Sequence, residues 1–249
     1  FIAKSVAITA DAFNNLSDAG SSIISMIGFK MAGKKPDAEH PFGHGRIEYI
    51  SGLIVSMLII LMGFELASSS ITNIINPEKT EFSHLSLIIL CVSILVKIYM
   101  IIYNKNIGNK ISSPTMKATA ADSLSDVISS CVVLLTVLVT VILEKYFNTQ
   151  LKFSLDGFAG LAVSIFIFYS GFSSAKETLE PLLGSVPSKE LVDNIEATVM
   201  NHEQIIGIHD LIIHDYGPGR MMISLHAEVS SKNDFFEIHD VIDNIEVEI

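Results

Sequence analysis

With 49% hydrophobic and 17% charged residues among 249, and a mean hydropathy of +0.49, the chain is too apolar for a soluble domain of its size, in which about a quarter of residues are charged. Its net charge of −11 is at odds with the clustered Lys and Arg of a phosphate-binding face, so no nucleic-acid partner is expected. Residues 1–183 hold 13 Lys/Arg and 14 Asp/Glu, whereas residues 184–249 hold 3 and 13, a break that separates a membrane region (1–183) from an acidic soluble domain (184–249).

The chain opens on Phe1-Ile2-Ala3-Lys4, which reads as the end of a hydrophobic segment. A helix is therefore expected before it, and further sequence after Ile249. Five segments approach the roughly 20 apolar residues that a membrane helix needs: about 11–32, 47–75, 83–104, 116–143 and 156–176. The first and fourth carry Asp, Asn and Ser, and charges persist in membrane helices mainly where they work. Lys30, Lys34, Lys35 and Arg46 follow the first span, and Lys105, Lys110 and Lys117 follow the third. By the positive-inside rule those connections face the cytoplasm, and the acidic tail follows the last span on the same side. An integral protein of the cell membrane is expected. Cys91 and Cys131 lie in apolar runs and read as packing residues.

The tail reads helix, strand, strand, helix. Pro187-Ser188 opens a helical segment to about His202, with Leu191, Ile195 and Val199 four apart. Ile208 to Tyr216 and Met221 to Val229 are strand-like runs joined by Gly217-Pro218-Gly219-Arg220. A second helix starts near Asp234. The expected fold is a membrane all-α bundle followed by an α+β domain of ferredoxin-like type.

Two matched spacings stand out. Asn14 and Asp18 are four apart in the first span, as are Asp122 and Asp126 in the fourth. Residues i and i+4 share a helix face, so two packed helices offer four converging oxygens, and Ala118, Ala120, Ala121 and Ser123 permit close approach. Carboxylate and amide oxygens suit Mg²⁺, Ca²⁺ and Mn²⁺ better than Zn²⁺. Crowded buried carboxylates take up protons readily once a metal leaves, which provides a basis for proton-coupled exchange. A second constellation, Asp37, His40 and His44, offers one carboxylate and two imidazoles in a connection shaped by Pro41, Gly43 and Gly45. The tail holds five of the eight histidines: His202, His209, His214, His226 and His239. Lys97 lies within the third span and either balances a buried acid or snorkels to an interface.

These residues together resemble the cation diffusion facilitators. The resemblance rests on Ala10-Asp11-Ala12-Phe13-Asn14-Asn15-Leu16-Ser17-Asp18, on Asp37 with His40-Pro41-Phe42-Gly43-His44-Gly45-Arg46, on Asp122-Ser123-Leu124-Ser125-Asp126 and on the acidic tail. It implies six membrane helices, of which the five spans here are the second to sixth. It further implies a homodimer in the lipid bilayer that exchanges cytoplasmic divalent metal for protons by alternating access, with no prosthetic group. Asn14, Asp18, Asp122 and Asp126 match the intramembrane transport site, Asp37, His40 and His44 the loop site, and His209, His226 and His239 metal-binding tail positions. Zinc-transporting members place a His at the position of Asn14 or Asp122, and this chain has none there, which is similar to the manganese-exporting branch. The expectation is Mn²⁺ efflux, with Zn²⁺, Fe²⁺ or Cd²⁺ transport as the alternative. An intramembrane aspartyl protease and a metal-sensing membrane protein are the readings from other classes. The protease motifs, Tyr-Asp and Gly-x-Gly-Asp, surround neither Asp18 nor Asp122.

Overall fold

In the computed structural model of the chain, residues 20–76, 84–147 and 155–249 are described. Helix α1 is described over residues 20–32. It is followed by α2 (Ile47–Ile75), α3 (His84–Lys110), α4 (Pro114–Phe147) and α5 (Leu155–Leu183). The tail adds α6 (Lys189–Met200), β1 (Ile205–Asp215), β2 (Met221–Val229) and α7 (Phe235–Glu248). Two compact units result, the helices up to Pro181 forming one, and Leu182–Tyr216 with Arg220–Ile249 the other.

Among the described residues, three helical stretches are long and apolar enough to cross a membrane: Ile47–Ile75, Pro114–Thr136 and Gly157–Leu183. A helix satisfies its backbone polar groups internally, so its side chains are free to face hydrocarbon. Accordingly Ile54, Met57, Leu61 and Phe64 of α2 and Ile165, Tyr169 and Phe172 of α5 are exposed, while the residues turned inward on α2 include Ser51, Gly52, Ser56 and Gly63. Small residues let the backbones approach. A Cβ on Gly52 would lie 2.8 Å from Thr178 Cγ2, and one on Gly171 would lie 2.7 Å from Ile60 Cγ1. Val55, Ile59, Ala118, Val163 and Ile167 form the apolar centre of this unit.

Hydroxyls tie the helices together around α4. Ser25 and Thr119 share a hydrogen bond of 2.9 Å between α1 and α4. Ser51 and Thr115 share one of 3.1 Å between α2 and α4, and Thr115 Oγ1 also donates to the Glu48 carbonyl. Ser56 reaches Ser174 of α5 at 2.9 Å. Helix α4 starts on Pro114, whose missing N–H is lost at no cost in a first turn, and Ser113 Oγ accepts from Met116 N at 3.2 Å. Both α3 and α5 run past the apolar stretches at 83–104 and 156–176, because a helix leaving hydrocarbon keeps its hydrogen-bond ladder without apolar side chains.

In the second unit, Ser188 caps α6 by accepting from Leu191 N, and Asp234 caps α7 by accepting from Phe236 N and Glu237 N. The hairpin turn uses Gly217 at φ +127° and Gly219 at φ +70°, conformations that glycine tolerates. Strands β1 and β2 pair antiparallel, with His209 opposite His226 and Ile213 opposite Ile223. Strand β1 begins at Ile205, three residues before the predicted start. One face of the sheet carries Ile208, Leu211, Ile213, Ile223 and Leu225 onto Ile195, Val199, Ile205 and Ile245. The register slips between His209 and Ile212, and there Asp210 takes φ +54°, a left-handed conformation that Asp adopts more readily than most residues.

Candidate metal centre

Helix α4 buries both of its acids. Asp122 is 3% exposed and Asp126 5%, one turn apart on a stretch of helix otherwise mostly of Ala, Ser and Thr. The neighbouring hydroxyls are turned back to their own helix: Ser123 Oγ donates to Thr119 O at 3.1 Å and Ser125 Oγ to Ala121 O at 3.0 Å. Lys97 of α3 settles between the two roles its sequence left open. It is itself buried, and its Nζ lies 2.9 Å from Asp126 Oδ2. It therefore balances an acid rather than reaching for an interface. Asn14 and Asp18, the other half of the predicted quartet, lie outside the described residues. A cavity of about 440 Å³ beside α4 is lined by Lys105, Lys117, Ala121 and Glu177 among others, and neither acid of α4 lines it.

The connection between α1 and α2 brings Asp37, His40 and His44 together, with one ligand atom of each lying within 4.8 Å of the others. Asp37 Oδ1 accepts from the backbone N–H of Glu39 at 3.1 Å and of His40 at 2.7 Å, a local turn that Asp side chains favour. The His40 backbone N–H, aided by the neighbouring imidazoles, holds the Asp37 carboxyl below its ordinary value of 3.8. Gly43, at φ +84°, lets the chain reverse between the two histidines. His40 Nδ1 is 3.3 Å from Asp37 Oδ1, His44 Nε2 is 3.5 Å from Oδ2, and the rings lie 4.4 Å apart. This donor set suits a borderline ion such as Zn²⁺. Four residues apart, His44 Nδ1 and Glu48 Oε1 are both buried without a hydrogen-bond partner.

In the tail, His209, His226 and Asp210 form the second group whose ligand atoms lie within 4.8 Å. The His209 and His226 rings are 5.2 Å apart, as their cross-strand pairing requires. Asp210 Oδ2 lies 3.3 Å from His226 Nδ1, and Glu228 Oε1 lies 3.4 Å from His209 Nδ1. His239 stands outside the group and pairs instead with Asp243 one turn along α7, at 3.5 Å. Sequence reasoning missed Asp210 because strict alternation would put it on the face opposite His209. The slip in register is what returns it, and nothing in the residue pattern announces that slip.

Comparison with known proteins gives two matching family models. Residues 1–183 match the cation efflux transmembrane domain, and residues 187–249 match the cytoplasmic domain of cation efflux proteins. An uncharacterised transporter of Methanocaldococcus jannaschii is 31% identical over 97% of this chain and 82% of its own length. The manganese efflux system protein MneS of Bacillus subtilis is 25% identical over 99% of this chain and 81% of its own. A cadmium, cobalt and zinc/H(+)-K(+) antiporter of Bacillus velezensis is 27% identical over 100% and 77%.

Proposed function

The chain belongs to the cation efflux (cation diffusion facilitator) family of divalent metal transporters, and from that premise we propose that it exports Mn²⁺ in exchange for protons. It is an integral membrane transporter with a cytoplasmic C-terminal domain, and its family is not one of enzymes, which sets the protease reading aside. The observation that carries the metal assignment is the pair of buried carboxylates on α4, Asp122 and Asp126. A carboxylate at the centre of a membrane helix costs about 2.5 to 3.5 kcal/mol on insertion scales, and the Lys97 ammonium beside Asp126 offsets only one of the two charges, so a further cation is favoured on this face. With Asn14 and Asp18 they make an all-oxygen set, the chemistry of Mn²⁺ rather than Zn²⁺. One of the relatives is named for manganese and another for cadmium, cobalt and zinc, so the manganese reading rests on ligand chemistry.

In this reading the four oxygens take a partly dehydrated ion from the cytoplasm, and carboxylates left crowded on its departure bind protons for the return. The transporter works as a homodimer, the arrangement that its cytoplasmic domain supports. Asp37, His40 and His44 form a cytoplasmic loop site, and His209 with His226 and Asp210 a tail site. His239 was expected in the tail site and has less support there. A zinc-exporting reading draws on the imidazoles of the loop and tail.

Flux of Mn²⁺, Zn²⁺, Fe²⁺ and Cd²⁺ into proteoliposomes under a pH gradient tests the two side by side. Mn²⁺ should dominate, Asp18→Ala or Asp126→Ala should abolish its transport, and Asn14→His should shift the Mn²⁺/Zn²⁺ ratio towards Zn²⁺. Unchanged Mn²⁺ flux in both Ala variants would refute the site, and an unchanged ratio in Asn14→His would refute the oxygen-donor argument.

A further inference from the structure

We infer that Lys97 is a tethered counter-cation of the transport site, holding Asp126 while the site is empty and yielding it to the incoming metal. The inference rests on Asp126 being a transport ligand, as proposed above. Its own observations are the 2.9 Å contact between Lys97 Nζ and Asp126 Oδ2 and the burial of both residues, at 8% and 5% exposed. Lysine near a membrane boundary normally extends its ammonium to water. Here the ammonium is turned into the bundle from α3 to α4.

A protonated ammonium has no lone pair to give a metal and repels a divalent ion nearby. The carboxylate it holds is one that a metal at the proposed transport site would use. Lys97 and metal therefore compete for Asp126 Oδ2, and loading requires the ammonium to swing off that oxygen. The displaced charge keeps a use. Asp18, Asp122 and Asp126 carry three negative charges when ionised and Asn14 none, so a bound divalent ion leaves the quartet at minus one. With the Lys97 ammonium still in the bundle, the loaded site is neutral, the condition that crosses a low-dielectric interior most easily. Because the competitor is covalently attached, it also re-forms its contact with Asp126 as the ion leaves and opposes rebinding, so the protons taken up on departure go to the other carboxylates. Lys97 is thus a positioning residue that sets affinity and release, without being a metal ligand.

The test is a binding and transport comparison on the full chain, in a background of His40→Ala, His209→Ala and His226→Ala so that Mn²⁺ reports the membrane site. Lys97→Met should bind Mn²⁺ more tightly, with Kd lower by about tenfold or more, the scale of one charge-assisted hydrogen bond. Its flux should half-saturate at lower Mn²⁺ and plateau lower, because release slows. Lys97→Arg keeps the charge in a fork that can grip both carboxylate oxygens, and should weaken Mn²⁺ binding. A merely structural role would move neither constant in this opposed way. Lys97→Met binding Mn²⁺ no more tightly than the parent overturns the inference. If that variant does not fold, Lys97→Arg decides, and Mn²⁺ bound as tightly as by the parent overturns it. Asp126→Asn separates the two levels. If it abolishes Mn²⁺ binding while the Lys97 variants behave like the parent, only the role of Lys97 falls. If it leaves binding intact, Asp126 is no ligand and both readings fall.

Discussion

Replacing Asp210 by Asn, Gly, Ala and Val in turn separates two roles that the irregularity in β1 gives to one residue. The first role is backbone: φ +54° suits Asp, Asn and Gly and costs an ordinary L-residue about 1 to 2 kcal/mol, with β-branched residues worst. The second is the proposed role as a ligand beside His209 and His226. Without metal, the Asp210–His226 contact adds little, since both side chains are about two-thirds exposed and such pairs contribute about 1 kcal/mol at most. Asn and Gly should then sit within about 0.5 kcal/mol of the parent, Ala about 1 kcal/mol below and Val lower still. Zn²⁺ at a hundred times the parent Kd should stabilise the hairpin by about 2.7 kcal/mol. A variant that has lost one of three ligands and binds tenfold more weakly gains only about 1.4 kcal/mol. Hydrogen exchange of the β1 and β2 amides, with and without Zn²⁺, reads both quantities on the full chain, and calorimetric Zn²⁺ titration gives the Kd directly. Asn and Asp should therefore be level without Zn²⁺ and about 1.3 kcal/mol apart with it. An equal Zn²⁺ increment in the two would refute the ligand role and leave Asp210 as a turn residue only.

Gly171→Val should destabilise the helical unit by about 1 to 3 kcal/mol, read as a lower unfolding temperature in detergent. The new Cβ would meet not only the movable Ile60 Cγ1 at 2.7 Å but also the Ile60 backbone N at 3.2 Å, which cannot rotate away; an unchanged transition would mean that α2 and α5 separate freely. Asp37→Asn keeps a side-chain oxygen for the His40 N–H while removing the charge, so the connection should keep its exchange protection yet bind Zn²⁺ roughly tenfold more weakly or worse, as judged by titration.

Helices α2, α4 and α5 and the order of the tail elements were legible because hydropathy and turn chemistry act locally. Helix α2 fills its apolar run from Ile47 to Ile75, and the tail strands end where Gly217 and Gly219 reverse the chain. The acids of α4 were legible too, since a spacing of four fixes a shared face wherever the helix packs. Partners across elements were not. Sequence left Lys97 with two destinations, because which acid an ammonium meets depends on how α3 lies along α4. The resemblance grouped His239 with His209 and His226; in the structure its Nδ1 lies 3.5 Å from Asp243, one turn along α7. Sequence reasoning omitted Asp210, whose side depends on a slip in register that the residue types do not encode.

Burial sorts the proposed sites by the physics that fills them. Asp122 and Asp126 are removed from water, so charge dominates there, and an ion at the proposed transport site would meet an ammonium already in place. Asp37, His209, Asp210 and His226 are all more than half exposed, where water screens charge and selectivity falls to the softness of the donors. Two of the three donors in the loop group, where His44 is the partly buried exception, and in the tail group are imidazoles, whereas the proposed membrane quartet has none. The ion that occupies the cytoplasmic groups therefore need not be the ion that crosses. On the proposed assignment, a chain with imidazole-rich exposed groups and an all-oxygen interior site can bind one metal for assembly while exporting another. If Asn14, Asp18, Asp122 and Asp126 form the transport site as proposed, the cargo follows from them and not from the histidines.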